Sequence, residues 1–417
     1  MAPESSTAST DRHATALLPV PFWILVVGFT LCRSGCVVVP FLSLYLVRHQ
    51  HVSAADAAQI TAAFGGGWLI GPVVAGWCAD RIGRRHTLLL TLSAVAATYL
   101  TLPHLETMPA LSTAACAVGL LFDGPRPAVF ALVADLVPPG DRSRGYARIY
   151  WASNFGAGVA GGLGIMLADH HITALFYVAA ASNLAFAATV LICRIGTGPH
   201  EQPHRGPTVG RRGYSALLRD GPFLALNGLS LLYLCVYQQV LFGLPVAMNH
   251  DGLSPSAVGI ISLINAIGVV AFQPLLQPWI GTRAPLVVSA AGAGILGVGM
   301  GGNLAAQQSL LGYGIAAAVW TLGEVLFFST VMTVVERLAP IDARGRYAGV
   351  WASMMGLSAL IAPLISAAAL HTGGPALIWT ASLILGTLAA AGLLTLNRHI
   401  TETSRTRHPA DPASVHV

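Results

Sequence analysis

The sequence contains no lysine and few charged residues of either sign. All 22 basic side chains are arginine, and charged residues make up 9% of the chain against 54% hydrophobic residues. A typical soluble domain carries about 25% charged residues, so this composition excludes a soluble enzyme. The mean hydropathy of +0.67 indicates an integral membrane protein. Without lysine there is no GxxxxGK[ST] loop to hold nucleotide phosphates, which excludes a P-loop ATPase.

Cysteine and histidine do not occur in the patterns that metal binding or catalysis requires. The six cysteines are scattered through apolar segments, and we interpret them as small buried hydrophobic residues rather than ligands or a disulfide. His49 and His51, and likewise His170 and His171, lack the further ligands of a metal site. We therefore predict no metal and no cofactor, and the chain is not expected to be an enzyme or to bind nucleic acid.

Apolar runs long enough to cross a bilayer recur along the chain. A spanning helix needs about 20 apolar residues, and breaks at charges and Gly/Pro clusters divide the chain into about twelve such spans. The predicted spans are 20–47, 55–79, 86–103, 109–137, 144–168, 172–194, 221–248, 254–280, 284–304, 309–338, 345–370 and 375–397. The first run is too long for a cleaved signal segment, so it is expected to remain as a span.

The placement of arginine predicts how the spans are oriented. Alternate connections carry almost all arginines outside the spans, while the opposite connections hold Arg48 and half of the 14 histidines. Because short cytoplasmic loops concentrate arginine, we expect both termini in the cytoplasm and the protein in the plasma membrane. The abundance of Ala, Gly and Arg without lysine is typical of a GC-rich bacterial source.

One stretch of sequence is used twice. Residues 123–156 begin DGPRPAVFALVAD and residues 324–356 begin EVLFFSTVMTVVE, and matching residues recur 201 positions apart, then 200 after one deletion. The pairs are Asp123/Glu324, Asp135/Glu336, Pro139/Pro340, Asp141/Asp342, Tyr146/Tyr347, Ala147/Ala348 and Trp151/Trp351. Self-similarity at about half the chain length indicates a duplicated architecture, which is common in transporters.

The duplication predicts an all-α integral membrane fold of two pseudo-symmetric six-helix bundles. We expect a cytoplasmic N-terminal tail, an N-terminal bundle, a polar linker, a C-terminal bundle and a cytoplasmic C-terminal tail. Their predicted bounds are 1–18, 19–194, 195–219, 220–398 and 399–417. A monomer is expected, with the lipid bilayer, protons and a small-molecule substrate as its partners.

The loop between spans two and three resembles the GxxxDRxGRR signature of the major facilitator superfamily. It reads GWCADRIGRRH from Gly76 onward. The resemblance implies the fold of that superfamily and a conformational latch, made in one state and broken in another. The predicted latch residues are Gly76, Asp80, Arg81, Gly83, Arg84, Arg85 and Asp135. An ordinary positively charged cytoplasmic loop is the alternative, and the corresponding loop of the second half lacks the acid.

Three further stretches resemble the drug:proton antiporter branch of that superfamily. They are Arg33-Ser-Gly35 followed by PFLSLYL, Arg126-Pro-Ala followed by Ala134-Asp135, and Gly323-Glu324 followed by Arg344-Gly-Arg-Tyr347. The resemblance covers nearly the whole chain and implies proton-coupled export of hydrophobic small molecules. Span five departs from it, because its glycine run over residues 156–164 lacks the Gly-Pro of the branch. Export and import therefore both stay open.

Four ionisable side chains fall near the middle of predicted spans: Arg33, Asp123, Arg126 and Glu324. A charge at mid-bilayer costs at least about 2.5–3.5 kcal/mol, so each is a functional hypothesis. A carboxyl group removed from water favours its neutral form, which would let it load a proton at one face and release it at the other. We expect Glu324, and secondly Asp123, to carry the proton. Structural pairs Asp123–Arg126 and Arg33–Glu324, or substrate recognition alone, are the alternatives.

Polar and aromatic residues near span centres are expected to line a substrate cavity with Arg33 and Arg126. They are Asn154, Phe155, Tyr233, Tyr237, Gln238, Asn265 and Phe327. Aromatic side chains there suit an apolar or cationic ligand, although ordinary packing between helices is an alternative for each. The predicted function is proton-driven export of a drug or secondary metabolite by alternating access. A proton symporter that imports a nutrient and a non-transporting receptor or scaffold are the rivals.

Overall fold

A computed structural model describes residues 18–138, 141–196, 217–306, 308–340 and 344–407. Across these ranges the regular secondary structure is helical throughout, apart from turns. The α-helices are α1 (Val20–Ser34), α2 (Val38–Arg48), α3 (Ala54–Ile82), α4 (Arg84–Thr101), α5 (Met108–Phe122), α6 (Pro125–Leu136), α7 (Arg142–Leu167), α8 (Ala174–Ile192), α9 (Gly221–Tyr237), α10 (Gly243–His250), α11 (Pro255–Gly281), α12 (Pro285–Ala306), α13 (Leu310–Leu338), α14 (Arg344–Gly373) and α15 (Pro375–Arg407).

The predicted all-α membrane fold is confirmed. Within the described ranges, 11 helical segments are long and apolar enough to cross a bilayer. The predicted fifth span is α7, a helix of 26 residues whose arginines, glycines and Asn154 lower its hydropathy. Counting α7, the described ranges contain twelve helical segments at the positions of the twelve predicted spans. The polar tails 1–17 and 408–417 and most of the predicted linker, 197–216, lie outside the described residues, and the domain bounds stay predictions.

Three spans are broken rather than continuous. Spans one and seven each contain a short 3-10 turn, at Gly35–Val37 and Gln238–Val240, in matching places of the two halves. Span four breaks at Asp123-Gly124, where α5 ends and Pro125 starts α6. Proline at the first helical position suits a helix start because its missing N–H would have no partner there. The break places the backbone of Asp123 at a helix end inside the membrane region.

The two halves pack through pairs of antiparallel helices that approach closely at glycine. Between α7 and α11, a Cβ on Gly161 would lie 3.1 Å from the Gly259 carbonyl oxygen, and one on Gly259 would lie 2.6 Å from the Gly161 carbonyl oxygen. Between α3 and α14, a Cβ on Gly65 or Gly356 would collide with the facing backbone. In lipid such close approach of small residues drives helix association.

The same helix pairs separate toward one end of the molecule. Gly76 of α3 and Gly349 of α14 would face each other if the antiparallel packing continued, yet nothing lies within 4 Å of a Cβ at either position. On the other pair, Tyr150 and Leu275 stand in the same relation and are exposed. We call this side the arginine end, because the connections after α3 and α11 carry its arginines. The halves are therefore apart at the arginine end.

The opposite side, which we call the histidine end, is closed. Arg48 at the end of α2 donates to Asn249 of α10. The backbone N–H of Ser256, at the start of α11, donates to the Asp169 carboxylate just after α7. Both bonds join the N-terminal half to the C-terminal half. The described contacts thus join the halves at the histidine end, whereas the same helix pairs are apart at the arginine end.

Candidate functional site

The first component of the site is a carboxyl group in the middle of α13. Glu324 is half-buried and accepts two hydrogen bonds, from the Tyr237 hydroxyl at 3.2 Å and from the Asn265 amide at 2.6 Å. The same Asn265 amide donates to the Thr321 hydroxyl at 3.1 Å, one helical turn before Glu324. Three helices of the C-terminal half, α9, α11 and α13, therefore converge on this carboxyl group. All of its recorded partners are electrically neutral.

The second component is a group of three charges in the N-terminal half. Asp123 lies at the break of span four. Its Oδ1 atom is 3.1 Å from Nε of Arg126 and 3.8 Å from Nη1 of Arg33 on α1. The Arg33 guanidinium also lies over the Phe122 ring, 5.6 Å from its centroid. The side chain of Arg126 is 45% exposed, whereas that of Asp123 is 12% exposed. We call Arg33, Asp123 and Arg126 the charge triad; it carries one net positive charge.

Two tyrosines connect these components electrostatically. Tyr237 interacts with Arg33 as well as with its hydrogen-bonded partner Glu324. Tyr150 of α7 interacts with both Glu324 and Arg126. Each of the two phenolic groups is thus near a charged group of each half, and Tyr237 is in direct contact with Glu324. A ligand that enters from the open end meets hydroxyl groups, aromatic rings and both signs of charge.

The structure separates the alternatives for the membrane charges. The predicted Asp123–Arg126 pair is present, but Arg33 pairs with Asp123 instead of Glu324. The reason is that α1 and the broken span four belong to one bundle, so Arg33 and Asp123 stay adjacent. Among the described ion pairs, none includes Glu324. The alternative in which Arg33 pairs with Glu324 is therefore not realised in this conformation.

Several predicted cavity residues pack inside the C-terminal half. Tyr233 is fully buried and stacks on Phe327, with ring centroids 3.6 Å apart. Gln238 is fully buried and donates to the carbonyl of Met355 on α14 at 3.2 Å. These three side chains therefore take part in the packing between helices of the C-terminal half. Of the aromatic and amide groups predicted on spans seven and eight, only Tyr237 and Asn265 contact Glu324 in the described contacts.

The two predicted residues of span five lie on different faces of α7. Phe155 is 67% exposed and shares a stripe with Trp151 and Val159, four residues to either side, so it lies away from the face of Tyr150. Asn154 donates to the carbonyl of Tyr150 at 3.0 Å, within its own helix. Asn154 thus borders the face that meets Glu324, while Phe155 points away from that face.

The predicted latch residues make contacts inside the N-terminal half. Arg84 pairs with Asp135 at the end of α6, and Arg85 donates to the carbonyl of Ile195 at 3.3 Å. Arg81 lies over the Trp77 ring. Gly83 has a φ of +86° and ends α3, a conformation that favours glycine, and Gly76 faces open space. The Asp80 side chain lies outside the described part of the chain, so its latch role stays a prediction.

Sequence reasoning missed several groups that the fold brings to the site. Thr321 lies one turn from Glu324 and Phe122 lies directly before Asp123, so their spacing could have indicated them. Tyr150 comes from a different half than its electrostatic partner Glu324, and no local signal predicts that meeting. Across the described ranges there is no group of three His, Cys, Asp or Glu side chains suited to a metal ion.

Solved structures of similar shape are transporters. The POT family transporter PepTSo has a TM-score of 0.78 and 15% sequence identity, over 93% of this chain and 99% of that one. A POT family transporter in complex with 5-aminolevulinic acid has a TM-score of 0.73 and 15% identity, over 91% and 95% of the two chains. At this identity the likeness concerns the fold alone.

Curated relatives and a family profile agree with the fold. YttB of Bacillus subtilis, an uncharacterised MFS-type transporter, is 25% identical over 95% of this chain and all of its own length. The gallate transporter of Pseudomonas putida is 26% identical over 90% of each chain. The profile of the Major Facilitator Superfamily matches residues 22–300 and 240–415. With a charged site between two packed halves, this chain is a multi-pass membrane transporter that belongs to the Major Facilitator Superfamily.

Proposed function

We propose that this transporter is driven by a proton gradient and that Glu324 carries the proton. The observation that supports this role most is the neutral environment of its carboxyl group, held by Tyr237 and Asn265. A carboxylate tied to arginine is kept charged, whereas one held by neutral donors can lose or gain a proton without leaving a partner charge uncompensated. Asp123, with two arginine partners, is suited to holding the charge triad together.

The proposed cycle couples protonation of Glu324 to the packing of the two halves. In this conformation the proposed proton exchange of the carboxyl group is with the arginine end, where the halves are apart and which the arginine pattern predicts to be cytoplasmic. When that end closes and the histidine end opens, the same group would exchange its proton with the other compartment. Transport of this kind uses no cofactor, and a monomer contains all of its parts.

The proposed cargo is a hydrophobic small molecule that leaves the cell. This direction rests on the resemblance of the Arg33, Arg126 and Glu324 segments to the drug:proton antiporter branch. The ring of Tyr237, whose hydroxyl contacts Glu324, and the exposed ring of Tyr150 on α7 offer stacking surfaces that suit many aromatic or apolar molecules. An inward proton gradient supplies the free energy for export.

A growth assay on a panel of toxic compounds tests this function. Cells that express the wild-type chain are expected to survive higher concentrations of one or more compounds, and cells with Glu324→Gln are not. Glu336→Gln is the matched control, because Glu336 is an exposed acid at the end of the same helix. Equal resistance with Glu324→Gln and the wild type would remove Glu324 from the coupling role.

A second candidate function is symport of an organic anion with a proton. Two arginines share one carboxylate in the charge triad, and Arg126 is 45% exposed, so the site has a positive group free to meet a ligand carboxylate. A related protein of Pseudomonas putida is named a gallate transporter, and gallate is an organic anion. Protonation of Glu324 would then strengthen anion binding by removing a nearby negative charge.

Flux into proteoliposomes distinguishes the two candidates. An antiporter accumulates substrate when the lumen is acidic, because protons leave as substrate enters. A symporter accumulates substrate when the external medium is acidic. With benzoate as the probe of the anion candidate, and with the passive uptake into protein-free liposomes subtracted, Arg126→Gln is expected to abolish accumulation driven by external acid. Benzoate accumulation that ignores this substitution would contradict anion symport.

A further inference from the structure

The start of α11 has no cap of its own. Ser254 precedes the helix but its side chain makes no capping hydrogen bond; it contacts the Ser256 hydroxyl instead, at 2.7 Å. The equivalent helix of the other half, α3, caps itself, because the Ser53 side chain accepts from the backbone N–H of Asp56 at 3.1 Å. The first backbone N–H groups of a helix need acceptors from outside the helix.

Asp169, from the opposite half, supplies the missing acceptor. Its carboxylate accepts from the backbone N–H of Ser256 at 2.9 Å. A carboxylate at a helix N-terminus is favoured both by the hydrogen bond and by the helix dipole. The internal repeat offers no such acid on the other side, since the matching position 369 is an alanine. The cap is thus made once, and only between halves.

A second bond between the halves lies at the same end of the molecule. Arg48 donates to Asn249, and these two residues are 201 positions apart, the same separation that relates the two repeats. The bond therefore joins equivalent positions of the two halves at the pseudo-two-fold axis. Arg48 and Asp169 also line one cavity of about 430 Å3 together with His49 and Pro255. This set of contacts encloses the histidine end.

We propose that Asp169 is the gate residue of the histidine end: it caps α11 only while that end is closed, and it must release the helix for the end to open. In the closed state the cap stabilises both α11 and the interface. In the open state α11 loses its acceptor and gains water. The equilibrium between the two states is therefore set in part by one hydrogen bond, whatever substrate or ion the protein carries.

A buried reporter residue makes the proposal testable in the full-length protein. Ser43 of α2 is 4% exposed and lies beside a small space between the halves that Phe242 and Pro363 also line. With the six native cysteines replaced, Ser43→Cys reports opening through its rate of reaction with a charged methanethiosulfonate. Asp169→Ala is expected to raise this rate about fivefold, which corresponds to about 1 kcal/mol, the typical value of a cap.

Two further variants separate gating from simple helix capping. Asp56→Ala removes an acid near the start of α3 whose hydrogen bonds stay within its own half, and the labelling rate is expected to stay unchanged. Ser254→Asp, added to Asp169→Ala, gives α11 a cap of its own. It should restore thermal stability while Ser43→Cys remains as reactive as in Asp169→Ala. Parental reactivity in Asp169→Ala, or in the double variant, would overturn the proposal.

Discussion

Asp123 is expected to be the most costly of the membrane acids to remove. It is 12% exposed and holds two arginines, so Asp123→Asn leaves both guanidinium groups without a carboxylate. Breaking a buried ion pair by removing one partner costs about 3–5 kcal/mol. The Arg126 share is small, since exposed pairs contribute about 0–1 kcal/mol. Most of the loss should come from the mostly buried Arg33, 16% exposed.

The assay is the free energy of unfolding in mixed detergent micelles, followed by fluorescence. Asp123→Asn is expected to lose about 3–5 kcal/mol, and Glu324→Gln less than about 1 kcal/mol because the glutamine can still accept from Tyr237. The double variant with Arg33→Gln and Asp123→Asn should lose far less free energy of unfolding than the two single variants lose together, because the two residues are coupled. Equal stability of Asp123→Asn and the wild type would refute the assignment of Asp123 to the charge triad.

Two other substitutions test the interface and the Glu324 network. Gly161→Leu should abolish transport by forcing α7 and α11 apart, because a Cβ at this position would lie 3.0 Å from the Leu263 backbone nitrogen. Gly162→Leu is the control and should keep near wild-type flux, because nothing lies within 4 Å of a Cβ there. Similar flux in both variants would contradict this packing. Asn265→Leu removes the amide that donates to Glu324 at 2.6 Å. A hydrogen bond to a charged group contributes about 1.5–3 kcal/mol, so this substitution should lower proton-driven flux about 10- to 100-fold. Asn154→Ala, whose amide bonds within α7, is the control, and an equal loss in both variants would argue against the network.

The sequence predicts the number of spans well because lipid imposes a long apolar run on each helix. It misses the breaks within spans one, four and seven, which leave those runs uninterrupted. The break in span four did have a signal, since Gly124, Pro125 and Pro127 follow Asp123 directly. Hydropathy therefore predicts the number of spans, whereas the shape of each span depends on proline, glycine and packing.

The site residues also differ in how well the sequence predicts them. Glu324 and Asp123 stand out because a charge in an apolar run is expensive, and in the structure both contact side chains of other helices. Gln238 was expected beside Tyr237 in the cavity, but it begins the 3-10 turn Gln238–Val240 and bonds to the carbonyl of Met355. The partner of Arg33 could not be read from spacing either. Contacts between helices depend on tertiary packing, which a single sequence does not specify.

The central claim concerns proton exchange at Glu324, and flux in proteoliposomes tests it most directly. For a substrate identified by the growth assay, accumulation driven by an imposed pH gradient is compared with one-for-one exchange of labelled and unlabelled substrate. Exchange needs the conformational change but no net proton movement. Glu324→Gln is predicted to keep the exchange and to lose the gradient-driven accumulation. Accumulation at the wild-type level in Glu324→Gln would contradict the account.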